Sequence, residues 1–94
     1  MKIVWITGGS SGIGYSTAKK FLNNNWIVII SSRDLKKLEE AKNSILLKSK
    51  NKELYIFQCD ITDKKQVKAI VDKINNEIGN INLTILNAAA YSPN

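Results

Sequence analysis

The sequence predicts an α/β three-layer sandwich built on a parallel sheet. Three observations carry this. Short apolar, β-branched runs alternate with segments of helical period, in the order β-α-β-α-β-α-β. The first two runs, residues 3–6 and 26–30, are apolar at every position, as strands covered by helices on both faces are. A glycine-rich turn joins the first run to the first helical segment. Crossovers of this kind are right-handed and place helices on both sides of a parallel sheet.

The elements follow in chain order. Residues 3–6 (Ile-Val-Trp-Ile) read as the first strand, and the turn Thr7-Gly8-Gly9-Ser10-Ser11-Gly12-Ile13-Gly14 follows. A helix is predicted over residues 13–23, with Ile13, Thr17, Ala18, Phe21 and Leu22 as its apolar stripe. Asn23-Asn24-Asn25 ends it, because Asn tolerates the left-handed conformation that closes a helix. The second strand covers residues 26–30. Asp34 is the candidate N-cap of a helix over residues 35–48, whose buried stripe is Leu35, Leu38, Ala41, Ile45 and Leu46. The third strand covers residues 54–59. Thr62 or Asp63 caps the third helix, and Asp63 with Gln66 fits a capping box. That helix carries the cleanest period of the chain: Val67, Ile70, Val71, Ile74 and Ile78, closed by Gly79. The fourth strand covers residues 81–87.

Composition narrows the function classes. At 94 residues the sequence holds at most one small domain. No apolar run approaches the about 20 residues that span a bilayer, and residues 1–6 run too quickly into glycines to be a signal peptide. One cysteine, Cys59, allows no internal disulfide and fits a reducing, cytoplasmic setting. With no histidine, a zinc site is not expected. The net charge of +6 comes from lysines scattered over three helical segments. No aromatic-and-basic pattern accompanies them, so neither nucleic acid nor membrane is an expected partner.

The glycine turn carries the chemistry. A strand that turns on glycines into a helix presents unpaired backbone N–H groups and the positive end of the helix dipole. Glycines let a phosphate approach without a Cβ in the way. No Lys-Ser/Thr pair follows, which excludes a P-loop. The spacing of Gly8, Gly12 and Gly14 is T-G-x-x-x-G-x-G, and with Ser10, Ser11 and Ile13 the stretch resembles the short-chain dehydrogenases/reductases. Extended relatives of that family would need a glycine at Ser11. The resemblance implies a Rossmann-type fold with strand order 3-2-1-4 as far as the fourth strand. It implies a ligand crevice at the C-terminal strand ends, between strands 1 and 4. Gly8, Ser10, Ser11, Gly12, Ile13 and Gly14 would hold the pyrophosphate.

Further matches lie at the ends of the other strands. NAD-specific sites carry an acidic residue after the second strand. Here Ser32 is neutral and Arg33 follows. Arg33 reads either as a guanidinium that grips a 2′-phosphate or as an exposed end-cap. The first reading gives a preference for NADP(H), with NAD as the second choice. Cys59-Asp60-Ile61-Thr62-Asp63 resembles the family's stretch after strand 3. By that resemblance Asp60 accepts from the adenine amino group and Ile61 packs on the ring. Asp60 can also cap backbone amides, and a carboxylate has capacity for both. Cys59 reads as a small buried hydrophobe. Leu86-Asn87-Ala88-Ala89 resembles the family's L-N-A-G. Asn87 would tie strands together, and Ala88 and Ala89 would face the nicotinamide-side ribose, with Ala89 in place of the family's glycine.

The family's reaction moves a hydride between nicotinamide and a carbonyl or alcohol. Its Ser and Y-x-x-x-K lie on later elements, so no catalytic residue is assigned among residues 1–94. Tyr15-Ser16-Thr17-Ala18-Lys19 matches Y-x-x-x-K but falls on the first helix, out of reach of the nicotinamide. The sequence therefore reads as the N-terminal cofactor-binding part of such an oxidoreductase, incomplete after strand 4. Its fourth strand is expected to leave Leu83 and Ile85 poorly covered, and homo-oligomers are expected only of a full-length form. Two alternatives remain: a non-catalytic dinucleotide-binding module, and an interaction fragment completed by another polypeptide.

Overall fold

The computed structural model describes residues 1–8, 10 and 12–87. Four parallel strands, β1 (Ile3–Thr7), β2 (Ile27–Ser32), β3 (Leu54–Gln58) and β4 (Leu83–Leu86), form one sheet in the order β3-β2-β1-β4. Helices α1 (Gly12–Asn23), α2 (Leu35–Lys48) and α3 (Lys64–Glu77) make the crossovers. The predicted element order and strand order both hold. The reversal of direction between β1 and β4 opens the crevice that such sheets use for ligands.

Burial splits the core into two layers. On one face Val4, Ile6, Val28, Ile30 and Leu54 meet Ala18 and Leu22 of α1 and Leu38, Ala41 and Ile45 of α2. On the other face Ile3, Trp5 and Ile29 meet Ile74 of α3, with Val67, Ile70, Val71 and Ile78 half-buried around it. The strict alternation of these sets along β1 and β2 is the period-2 geometry of a strand. Two of the three predicted helix stripes, those of α1 and α2, begin one turn too early. Ile13 is 70 % exposed and Leu35 42 % exposed. Each lies in the first turn of its helix, at the rim of the sheet, where no strand remains to pack against.

The element boundaries have local causes. Helix α1 ends in a Schellman motif: the Trp26 N–H donates to Phe21 O at 3.1 Å and the Asn25 N–H to Leu22 O at 3.2 Å. Asn25 supplies the left-handed residue (φ 66°). The hydrophobic contact that accompanies this motif is Trp26 edge-on to Phe21, with centroids 4.8 Å apart. Trp26 therefore belongs to the helix stop, and β2 starts one residue later than its apolar run. The second and third helices start as predicted. Asp34 Oδ1 accepts from Lys37 N, and Asp63 Oδ1 accepts from Lys65 N and Gln66 N. At the far end of α3 the Ile74 carbonyl accepts from both Ile78 N and Gly79 N. Gly79 has φ 148°, and a Cβ there would lie 2.9 Å from Ile3 Cδ1.

Strand β4 is shorter than predicted. Asn82 precedes it and pairs with Ile3 through a side chain: Ile3 N–H donates to Asn82 Oδ1 at 2.8 Å, while Asn82 N–H donates to Ile3 O at 2.9 Å. At the end of β3, Cys59 still donates its N–H to Ser32 O at 2.9 Å but lies outside the strand. Leu83 and Leu86 are exposed on β4, as expected of its outer position, and Ile85 is half-buried against the first core layer. Among the described residues no helix is long and apolar enough to cross a membrane.

Because Ile74 is the only fully buried residue of α3, Ile74→Ala is expected to cost about 2–5 kcal/mol of unfolding free energy. The half-buried Ile70→Ala should cost clearly less. Urea denaturation of the two variants checks the order.

Candidate functional site: the rim at the strand C-termini

The register aligns four strand ends. Thr7 pairs with Ser31 and Leu86, and Ser32 with Gln58. The next residues on each chain segment are Gly8, Arg33, Asn87 and Cys59-Asp60. Arg33, Asp60 and Asn87, singled out in the sequence at strand ends, therefore lie with Gly8 on one rim. Ser11, Ala88 and Ala89 fall outside the described residues.

Around the glycine turn, backbone approaches backbone. Gly8 has φ 75° and donates its N–H to Ser31 O at 2.6 Å. Ser31 Oγ in turn accepts from the buried Trp5 indole N–H at 2.8 Å. Gly14 sits so close to β1 that a Cβ would lie 2.2 Å from Gly8 O and 2.8 Å from Asn87 Nδ2. Asn87 donates its amide to Gly8 O at 3.3 Å and its N–H to Thr7 O and Thr7 Oγ1. The expected tie between strands is thus a tie from the end of β4 to the glycine turn. Gly12 differs from its neighbours. It has φ 60°, and among the described residues a Cβ placed on it would meet nothing within 4 Å. Ser10 is half-buried, and Ile13 stands exposed beside this open space.

Electrostatics distinguish α1 from the other helices. Asp34 and Asp63 put a carboxylate on the N-termini of α2 and α3. The first turn of α1 holds no acidic residue. Its positive dipole end is therefore not met by a carboxylate within its first turn.

On the β2–β3 side, Arg33, Gln58, Asp60 and Gln66 line one open depression of about 380 Å³. Gln58 and Gln66 were not singled out as site residues. Gln58 ends β3 and donates Nε2 to Arg33 O at 2.9 Å. Its place at the end of an edge strand was the available signal. Arg33 is exposed, and among the described residues its guanidinium makes no ion pair. Ser32 is occupied locally: its Oγ accepts from Asp34 N at 3.2 Å. Asp60 Oδ1 accepts from Thr62 N at 3.0 Å and from Thr62 Oγ1 at 2.7 Å. These bonds, with a smaller contribution from the Arg33 charge, hold its carboxyl below the usual carboxylate range. Ile61 is 46 % exposed beside it. Cys59 is buried as expected, and burial, followed by the Asp60 and Asp63 charges, pushes its thiol up.

A doubly wound parallel sheet with an anion-ready helix N-terminus at its switch point defines the Rossmann-type class. The family profile described as short chain dehydrogenase matches residues 2–94, and the chain belongs to that family. An uncharacterized oxidoreductase of Mycobacterium tuberculosis is 33 % identical over 88 residues, covering 93 % of this chain and 26 % of the relative. The menthone neomenthol reductase of Mentha piperita superposes with a TM-score of 0.86 at 30 % identity, over 93 % of this chain and 31 % of its own. An NADPH-bound short chain oxidoreductase of Pseudomonas aeruginosa, with an atypical catalytic center, superposes with a TM-score of 0.84 at 28 % identity, over 88 % of this chain and 32 % of its own. The chain spans about a quarter of the length of curated relatives such as the Mycobacterium tuberculosis oxidoreductase.

Two outcomes follow from this geometry. Gly14→Ala should cost about 3 kcal/mol or more, because its Cβ meets backbone, whereas Gly12→Ala should cost about 1–2 kcal/mol from its left-handed φ alone. Denaturant titration reads the difference. Thr62→Val should raise the Asp60 midpoint in a carbon-detected NMR titration by removing the hydroxyl donor. Since the folded carboxyl titrates lower than the unfolded one, the contribution of these bonds is present at neutral pH. It fades as pH falls through the lowered midpoint.

Proposed function

We propose that residues 1–94 form the N-terminal cofactor-binding part of an oxidoreductase that transfers hydride between NADP(H) and a carbonyl or alcohol substrate. The observation that carries this is the gathering of two anion-receptive places on one rim: the open cradle over Gly12 at the N-terminus of α1, and the depression holding Arg33 and Asp60. A dinucleotide needs both, one for its pyrophosphate and one for its adenosine end. The NADPH bound by the Pseudomonas relative supports the choice of ligand class.

The residues fit the group. Among the described residues Gly12 leaves space where a side chain would stand, with Gly8, Ser10, Ile13 and Gly14 in the same turn, and Ser11 is assigned to the pyrophosphate on the family resemblance alone. Arg33 offers a planar, charged donor set for a 2′-phosphate. Ser32 contributes no carboxylate that would repel that phosphate, and the Asp34 carboxylate is committed to Lys37 N. Asp60 has a second oxygen to accept from the adenine amino group, and Ile61 offers an exposed apolar face to the ring. Asn87 braces the glycine turn, and Ala88 and Ala89 are assigned to the nicotinamide-side ribose on the family resemblance alone. The bound dinucleotide supplies or accepts the hydride; these residues bind and orient it. Tyr15 and Lys19 take no part, and no catalytic residue is assigned to this stretch.

The test compares NADPH and NADH binding by calorimetry in the protein and in Arg33→Ala. Loss of a charged hydrogen-bonding partner is expected to lower the NADPH-over-NADH ratio about 10- to 100-fold. An unchanged ratio removes Arg33 from the phosphate site. Binding of neither dinucleotide by the folded protein overturns the proposal.

A further inference from the structure

Gln66 stands at the third position of α3 and does something a capping box ordinarily does not. In the usual box that side chain returns to the N–H of the N-cap residue. Here the Asp63 N–H is already taken by Asp60 O at 3.0 Å. Gln66 reaches further back: its Oε1 accepts from the Asp60 N–H at 2.9 Å, while its Nε2 donates to Asp63 Oδ2 at 3.1 Å. Asp60 is thereby held at its N–H by Gln66, at its carbonyl by Asp63, and at Oδ1 by Thr62. Only a primary amide satisfies both partners, since it offers one acceptor and one donor. A carboxylate would face Asp63 with like charge. Gln66 also lines the depression that Asp60 and Arg33 border.

We infer that Gln66 is a positioning residue for base selection. Its amide fixes the backbone of the 60–63 turn, so that the second Asp60 oxygen and the Ile61 side chain face an adenine rather than another base. The inference rests on the proposal that Asp60 receives the adenine amino group. The side chain is exposed, so its substitution does not disturb the core.

The experiment uses adenosine 2′,5′-bisphosphate and inosine 2′,5′-bisphosphate, in which a carbonyl replaces the 6-amino group. Calorimetry measures both in the protein, in Gln66→Met and in Gln66→Ala. Methionine keeps length and helix propensity while removing both polar contacts. The unaltered protein is expected to favour the adenine ligand by about tenfold or more. Both variants should lose most of that ratio, with affinity falling more for the adenine ligand than for the inosine ligand. A variant that binds and retains the full ratio overturns the role of Gln66. An unaltered protein that binds both ligands equally overturns the adenine reading of Asp60 beneath it, and is told apart by needing no variant at all.

Discussion

The contact between Gly14 and the carbonyl of Gly8 is the constraint on which the site depends. A methyl group at Gly14 would overlap that oxygen at 2.2 Å, so α1 lies against the end of β1 with no side chain between. This closeness brings the Asn87 amide within reach of the same carbonyl. The second anchor is Ser31, whose carbonyl takes the Gly8 N–H and whose hydroxyl takes the Trp5 indole. Turn, β2 and the layer beneath α3 are thus connected through two adjacent polar groups, one of them held by a buried aromatic. A displaced Gly8 would disturb all three.

The same economy explains why three helix starts of similar position have different chemistry. Each of α1, α2 and α3 begins just past the C-terminal end of a strand, and each presents a positive dipole end there. An aspartate neutralises α2 and α3 from within the chain. Such caps stabilise their helices by about 1 kcal/mol each. Helix α1 forgoes this and starts on glycines. The cost in local stability is offset by the close seating of Gly14 against Gly8 and Asn87. A helix start that is rigid yet uncapped by its own carboxylate is what a bound phosphate requires.

Much of this was legible in the sequence, for identifiable reasons. The helix stripes follow from periodicity, which reports burial directly, and the strand order follows from the family resemblance that the glycine turn carries. The Asp34 and Asp63 caps follow from local bonding that needs no tertiary information. The departures have one origin: a helix or strand end is set by what surrounds it. Ile13 and Leu35 have the right period for their stripes, but they overhang the sheet. Trp26 continues an apolar run, yet it serves the Schellman stop with Phe21. Asn82 replaces a strand residue by using its side chain as a backbone acceptor. On the site side, Gln66 is legible in the sequence only as a capping-box partner and Gln58 only as a strand end, because their places in the depression arise from the meeting of β2, β3 and α3. A glutamine carries no charge or rare geometry to mark it in a linear sequence.

Tyr15 and Lys19 illustrate the converse, a motif whose spacing is right and whose surroundings are wrong. The pair does form a unit: the Lys19 ammonium lies 5.6 Å from the Tyr15 ring centroid, as i,i+4 neighbours on a helix can. The phenol, however, is bonded to Ser44 Oγ at 2.6 Å across to α2. It packs beside the first core layer on the α1–α2 side of the sheet. A general acid needs its hydroxyl directed at a reacting oxygen, whereas this one is spent joining two helices. The pair is explained by the packing of α1 on α2, and spacing alone could not have separated that use from catalysis. What separates them is the partner of the hydroxyl, a residue 29 positions away in the chain.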